Sequence, residues 1–316
     1  MSRIRVAVIG GGANGEHDVS LASAAAVVGA LDPGAYEIVG LTIGRDGTWL
    51  DAAGEVIGLA AAVEMLQGCD VALPIVHGPR GEDGTLAALL ELADVPYVGS
   101  GLRPGALAMD KWVTKLIAQD LGIAVAPGRL LTARTAADYT WSAPVVVKPV
   151  AAGSSLGVTL VSRPEDLDAA MAEALRHDDR ILVEQVIKGR EIDIAILKNP
   201  DKIVASPTLE IITDGGFFDY AAKYGGEATK FLIPAPIEPA ATRAIEEAAT
   251  AMYEALGCRG VARFDFFVTE EGTVLNEVNT MPGFTAHSQV PRMFAAAGMP
   301  YPRLLDTLIG LACGHG

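Results

Sequence analysis

In the last quarter of this 316-residue chain, the run Arg263-Phe264-Asp265 is followed closely by a second polar cluster, Asn276-Glu277-Val278-Asn279. Asp265, Glu277 and Asn279 carry oxygen donors of the kind that hold a hard cation such as Mg²⁺. Their spacing brings them together if residues 261–268 and 274–279 form two strands joined by a tight turn at Glu270-Glu271-Gly272. Alternate residues of a strand share a face, so Ala262, Phe264, Phe266 and Val268 face the core while Arg263 and Asp265 point the other way. Pairing about Glu271 sets Asp265 across from Glu277 and Arg263 across from Asn279, with Val274 and Val278 on the apolar face. A slip of one residue would mix the faces. Directly opposed side chains have Cβ atoms roughly 5 Å apart, and two carboxylates at ~5 Å repel by about 3 kcal/mol at an effective dielectric of ~20. Either Arg263 neutralises them in a salt-bridge cluster, or one holds a proton, or a divalent cation carrying a nucleotide's phosphates lies between them. The following loop, residues 280–288, is small and polar, and leaves the pair where a substrate would lie.

Other groups able to do chemistry lie upstream. Val145-Val146-Val147-Lys148-Pro149 is an apolar strand ending in a lysine, which must meet an anion or leave the interior. Gly153-Ser154-Ser155-Leu156-Gly157 follows, before a returning strand at 158–161. Glycines let the backbone approach phosphates, and N–H groups with serine hydroxyls supply donors. This strand–loop–strand unit lacks the Gly-Lys-Ser/Thr and helix of a P-loop, and taken alone it could be an ordinary hairpin turn. Glu16 opens an Ala-rich helix running to Leu31; it either stabilises the helix dipole or holds a substrate ammonium. His77-Gly78-Pro79-Arg80-Gly81-Glu82-Asp83-Gly84 leaves the carboxyl end of a strand at 71–76, the usual ligand position in a parallel sheet. His77 could equally be a turn residue with a satisfied ring. Lys111, in an amphipathic helix at 108–115, reads by itself as a solvated lysine. Glu184, Gln185 and Val186 lie in a strand at 181–187 whose edge offers backbone groups to an adenine, and Glu191 opens the next unit. Residues 217–224 interrupt the strand pattern with an aromatic, charged loop containing Lys223 and Tyr224.

Gly10, Gly12 and Gly15 spell the G-x-G-x-x-G dinucleotide fingerprint. That motif also needs an acid closing the second strand about twenty positions on, whereas the strand at 36–43 ends in Gly44-Arg45-Asp46. A dinucleotide-binding oxidoreductase is therefore one alternative, and it leaves the Asp265, Glu277 and Asn279 face unexplained.

These residues need strands to aim them and helices to cover the strands, which makes an α/β protein of two or three domains. Apolar residues make up 50% of the chain, which suits a globular protein, and the formal charge of −15 opposes a nucleic-acid partner. The three cysteines are scattered without metal-type spacing, which fits a reducing compartment. Gly10-Gly11-Gly12 cuts the first apolar run too short for a signal peptide, and no apolar stretch approaches the ~20 residues of a membrane span. A cytoplasmic protein without membrane or nucleic-acid partners is expected.

Taken together, these runs resemble the D-alanine–D-alanine ligases of the ATP-grasp superfamily, whose C-terminal signature is similar to Arg263-Phe264-Asp265 and Asn276-Glu277-Val278-Asn279-Thr280-Met281-Pro282-Gly283. Six blocks in the family's order cover nearly the whole chain. The resemblance implies a three-domain ATP-grasp fold: an N-terminal α/β substrate domain at 1–99, a central domain with a Gly/Ser lid at 100–186, and a C-terminal domain with the metal and substrate sites at 187–316. It implies ATP as cofactor together with two Mg²⁺ ions, Mn²⁺ being the alternative metal, held by Asp265, Glu277 and Asn279. Around the nucleotide it implies Lys111, Lys148 and Lys223 at the phosphates under a lid of Ser154 and Ser155. Glu184, Gln185 and Val186 would meet the adenine, Glu191 the ribose, and Phe267 and Asn276 would complete that site. Glu16 would fix the first D-alanine, with Val19 and His77 near it; Arg263 and the Gly283 N–H would meet the oxyanion. Ser288 would take the second substrate's carboxylate, and Glu16, Ser154 and Tyr224 would form a network that favours an amine nucleophile. The implied product is D-alanyl-D-alanine for peptidoglycan, made by a cytoplasmic homodimer.

Four positions depart from the family's usual pattern. Ala152 stands where Glu commonly precedes Gly-Ser-Ser, Ala87-Ala88 where Gln-Gly is frequent, and Gln289 where Leu lines the second-substrate pocket. Gln289 and Ala152 leave room for a different D-amino acid pair; a non-catalytic nucleotide-binding relative is a separate alternative, which the intact Glu16, Arg263 and metal-ligand positions oppose.

Overall fold

The computed structural model describes residues 3–199, 202–212 and 230–314, and three sheets follow one another along the chain. The first has the order β3-β2-β1-β4. Its central strand β1 (Ile4–Gly11) runs parallel to β2 (Tyr36–Ile43) and β4 (Val71–Pro74), and β3 (Trp49–Leu50) adds antiparallel to β2. From Val6 onward every residue of β1 is buried, as expected of a parallel strand covered on both faces. The helices α1 (His17–Ala30), α2 (Gly58–Gln67) and α3 (Thr85–Leu92) belong to this unit.

The glycines after β1 serve the turn and not a dinucleotide. Gly11 and Gly12 adopt φ of 82° and 127°, values that favour glycine. The Gly12 N–H donates to the Ile43 carbonyl at 2.7 Å, and the Asn14 amide donates to the carbonyls of His77 and Pro79 at 2.9 and 2.8 Å. The turn is thereby braced against the His77 loop, with its polar groups spent inside the protein.

Two helices connect to the second sheet: α4 (Leu102–Met109) and α5 (Lys111–Asp120). The sequence pattern suggests one continuous helix across 108–115, but Asp110 divides it. Asp110 is extended at φ −79° and ψ 96°, and its carboxylate accepts from the Val113 N–H, capping α5. The second sheet, in the order β5-β8-β6-β7, joins β5 (Gly128–Thr132), β8 (Arg180–Gln185), β6 (Val145–Pro149) and β7 (Thr159–Val161), all antiparallel. The helix Leu167–Ala174 buries Leu167, Ala170 and Met171 against it.

The third sheet follows β12-β11-β9-β13-β14, from β12 (Lys230–Leu232) through β11 (Leu209–Ile212) and β9 (Arg190–Lys198) to β13 (Val261–Thr269) and β14 (Gly272–Asn279), with β10 (Ile203–Ala205) also on β9. The helix Pro239–Leu256 covers one face through Ile245, Ala249, Met252 and Leu256, which share a core with Ile192, Ile194, Phe264 and Phe266. The terminal helix Tyr301–Ala312 returns to the first sheet, its Leu304, Leu305 and Leu308 sharing a core with Val6, Val8 and Leu73.

The β13–β14 hairpin pairs Asp265 with Glu277 and Arg263 with Asn279, as its alternation suggests, but a bulge interrupts it between Asp265 and Phe266. Beyond the bulge Phe266 pairs with Leu275, so Leu275, and not Val274, joins Val278 as a buried residue of β14. An extra residue in one strand reverses the in–out phase from that point. Asn276, left without a cross-strand partner, and Glu277 beside it both face the same cavity.

Candidate active site

The second and third sheets line one cavity of about 1070 Å³, which helix α1 and the loop after β4 complete from the N-terminal unit. Every site residue expected from the sequence that falls within the described residues lines it. Lys223 and Tyr224 lie outside the described residues, so the expected third member of the Glu16–Ser154 network is not described.

At one end, Glu16 precedes α1 and is 6% exposed. Ser154, in the loop between β6 and β7, donates its hydroxyl to the Glu16 carboxylate. Ser154 and Ser155 take φ of 50° and 57°, left-handed values uncommon for residues with a Cβ. A Cβ on Gly153 would fall on the Glu16 carboxylate, so this glycine is what lets the loop close over α1. Val19 lines the same end.

His77 is buried between α1 and the 280–288 loop, with Nδ1 on the Met281 carbonyl at 2.9 Å and Nε2 on the Ser23 hydroxyl at 3.0 Å. Burial pushes its pKa down to about 4, so the ring is neutral near pH 7. Both nitrogens are engaged, which makes His77 a brace for the substrate loop. Glu82 accepts from the Gly78 N–H at 2.7 Å. Burial first, and the Glu16 carboxylate second, push its pKa up, so this acid tends to keep its proton. Glu82 lies in the run that begins at His77, and the sequence signal for its role is an acid four residues after a glycine turn.

The floor holds a row of acids. Asp193 on β9, Asp265 on β13 and Glu277 on β14 occupy paired positions across three adjacent strands. Arg263 grips Asp265 with two nitrogens, Nε at 2.7 Å and Nη2 at 2.8 Å, and its Nε lies 3.6 Å from Asp193. Burial opposes the guanidinium charge, but Asp265, Asp193 and Glu277 outweigh it and hold the pKa above the usual arginine value. Gln289 joins this group with both ends of its amide. Its oxygen accepts from Arg263 Nη1 at 2.7 Å and its nitrogen donates to Asp193 at 2.8 Å. Asp193 was not singled out in the sequence; its place two residues after Glu191, on the same strand face, is the available signal.

Asp265, Glu277 and Asn279 suit a hard cation by chemistry, being two carboxylates and an amide on adjoining strands. Among the described residues no three His, Cys, Asp or Glu side chains group as a metal site. Asp265 also accepts from Asn279 Nδ2 at 3.0 Å, and an incoming ion would share its carboxylate with Arg263. Both sequence readings of this face, salt bridge and metal site, thus use the same atoms.

Beside the glycine–serine loop, Lys111 on α5 donates to the Ala152 carbonyl at 2.6 Å and approaches Glu277 at 3.7 Å. Ala152 acts through its backbone here, so its departure from the family's Glu leaves this contact in place. Lys148 pairs with Glu184 at 2.6 Å and reaches Asn276 Oδ1 at 3.4 Å. Lys115, one helical turn beyond Lys111, pairs with the other oxygen of Glu184 at 2.6 Å. Burial raises the Glu184 pKa and the two lysines more than reverse that, leaving it below the usual carboxylate value. Gln185, Val186, Glu191 and Phe267 continue this wall. Across the cavity, Ser288 accepts from the Thr285 N–H at 3.0 Å, close to Gly283.

Cations over a glycine–serine loop, acids on the facing hairpin and two antiparallel sheets enclosing the space define an ATP-grasp enzyme. The same architecture recurs in solved structures. VanG D-Ala:D-Ser ligase from Enterococcus faecalis matches with TM-score 0.85 and 36% identity over 98% of this chain and 100% of that one. D-alanine–D-alanine ligase from Bacillus anthracis complexed with ATP matches with TM-score 0.81 and 28% identity, covering 98% and 97%. In sequence, the D-alanine–D-alanine ligase of Mycobacterium ulcerans is 38% identical over 99% of this chain and 96% of its own length. The family models for the D-ala D-ala ligase C-terminus and N-terminus match residues 118–310, and 5–64 with 53–100. The chain belongs to the D-alanine–D-alanine ligase family.

Proposed function

We propose that this chain joins two D-alanine molecules at the expense of ATP, forming D-alanyl-D-alanine, ADP and phosphate for peptidoglycan synthesis. The observation that carries the reading is one cavity in which Glu16, Ser154, Lys148 and Arg263 converge from distant segments. Glu16 holds the ammonium of the first D-alanine, kept in place by Ser154. That substrate's carboxylate attacks the γ-phosphorus, the bond to the β-phosphate oxygen breaks, ADP leaves and an acyl phosphate forms. The second D-alanine, deprotonated at its amine, attacks the acyl carbon. The tetrahedral oxyanion meets Arg263 and the Gly283 N–H, and collapses as the carbon–oxygen bond to phosphate breaks, the nitrogen giving its extra proton to the departing phosphate.

Two anions approach each other in the first step, so charge must be offset before they meet. Lys111 and Lys148 supply part of it. Asp265, Glu277 and Asn279 would hold Mg²⁺, which neutralises phosphate charge when bound; Mn²⁺ would suit the same oxygens. Glu184, Gln185 and Val186 take the adenine, Glu191 the ribose, and Ser288 the second carboxylate. Closing such a site excludes water, which would otherwise intercept the acyl phosphate.

Gln289 favours a second reading, in which the second amino acid is polar, such as D-serine. An amide that already accepts from Arg263 and donates to Asp193 retains an N–H and a lone pair for a hydroxyl, and VanG, a D-Ala:D-Ser ligase, is among the similar structures. The division at residues 99/100 and 186/187, the cytoplasmic location and a homodimeric state belong to this proposal. No helix among the described residues is long and apolar enough to cross a membrane. ADP release with MgATP and single and paired D- and L-amino acids tests it: dependence on D-alanine is expected, and nucleotide turnover indifferent to amino acids would overturn it.

A further inference from the structure

Glu184 has two cationic partners where one would neutralise it. Its Oε1 lies 2.6 Å from Lys115 and its Oε2 2.6 Å from Lys148. All three groups are buried: Lys115 3%, Glu184 3% and Lys148 6% exposed. The partners are not equivalent. Lys148 and Glu184 line the cavity, whereas Lys115 is absent from its wall and lies behind them on α5. A second buried ammonium beside the first costs desolvation and mutual repulsion, and burial and Lys148 together push the pKa of Lys115 down to about 8. A group held in the interior against those terms calls for a reason.

We propose that Lys115 is a positioning residue: it is the standing counter-ion of Glu184, which releases Lys148 to move from that carboxylate onto the phosphates of a bound nucleotide. The inference rests on the nucleotide-site reading above. If Lys148 were the sole partner, each transfer to phosphate would strand a buried carboxylate, and truncating one member of a buried pair is costly for that reason. With Lys115 in place, Glu184 keeps one ammonium before and after the nucleotide arrives. Lys111 cannot substitute, because its Nζ is directed to the Ala152 carbonyl and to Glu277.

A double-mutant cycle isolates this coupling. Affinity for the magnesium complex of a non-hydrolysable ATP analogue is measured by calorimetry for wild type, Lys115→Met, Glu184→Gln and the double variant, with adenosine as the uncharged probe. Lys115→Met is expected to weaken the analogue by about tenfold, about 1.4 kcal/mol, while adenosine changes by less than about twofold and Lys115→Arg restores binding. In the Glu184→Gln background Lys148 has nothing to leave, so Lys115→Met is expected to add less than about twofold. Equal losses in both backgrounds would show a through-space charge effect and overturn the proposal, as would an equal loss on adenosine or no loss at all. If Lys115→Met fails to fold, Lys115→Gln, which keeps a hydrogen-bonding group without the charge, is read with the same expectations. Failure of the nucleotide-site reading is distinguishable: there the analogue would bind Lys148→Met as tightly as wild type.

Discussion

Ser154 donates its hydroxyl to the carboxylate of Glu16 across 138 residues of chain, tying the glycine–serine loop of the second sheet to the first helix. The contact lies on the cavity wall, and under the proposed function it orients the acid that holds the substrate ammonium. Ser154→Ala removes the donor while leaving the loop's glycines in place. Turnover with D-alanine is expected to fall about 10²-fold, the scale of misplacing a substrate-positioning group, with an unchanged melting temperature. Steady-state kinetics beside thermal unfolding check it.

Asp265→Asn and Glu277→Gln address the metal assignment. Each replaces a carboxylate on the hairpin by an amide, and each is expected to lower ATP-dependent phosphate release by about 10³-fold or more through lost charge stabilisation. Magnesium with a non-hydrolysable ATP analogue should raise the melting temperature of wild type and not of either variant. Wild-type-like turnover in either would remove that residue from the set.

Gln289→Leu breaks the bridge between Arg263 and Asp193. Two hydrogen bonds to charged groups are lost, each worth about 1.5–3 kcal/mol, though Arg263 keeps its paired contact to Asp265. Unfolding free energy is expected to fall by about 3 kcal/mol or more. The KM of the second amino acid should change more than that of ATP, because the affected guanidinium faces the amino-acid end. Equal changes for both substrates would contradict this placement.

Acid should weaken the fold through His77. Burial holds its pKa near 4, below the ordinary 6.5, so the folded state favours the neutral ring. The stabilisation is complete above pH 6.5 and is lost as pH falls toward 4, with a slope of at most about 1.4 kcal/mol per pH unit. His77→Gln cannot titrate, so urea unfolding across this window should show a shallower loss than wild type. Parallel curves would mean that other groups carry the acid sensitivity.

The hairpin was legible because its alternation admits one register, and the structure pairs Arg263 with Asn279 and Asp265 with Glu277 accordingly. The bulge at Asn276 was not, since only the core reveals that Leu275 and not Val274 fills the gap beneath β13. Asp110 looks like one more polar helix residue until its carboxylate meets the Val113 N–H. Lys111 reads from the sequence as a solvated lysine, whereas the structure buries it with Lys115 beside β6 and β14, which lie far along the chain. Gln289 stood out as a departure, but its double hydrogen bond exists only once Asp193 and Arg263 are brought together by β9 and β13.

The central claim is that the first amino acid's carboxylate is phosphorylated before the peptide bond forms. D-alanine labelled with ¹⁸O in its carboxylate, incubated with MgATP and excess enzyme, tests it most directly through mass analysis of the released phosphate. Transfer of one carboxylate ¹⁸O to each phosphate is the expected result. Phosphate free of the label, with D-alanyl-D-alanine still formed or ATP merely hydrolysed, would contradict it.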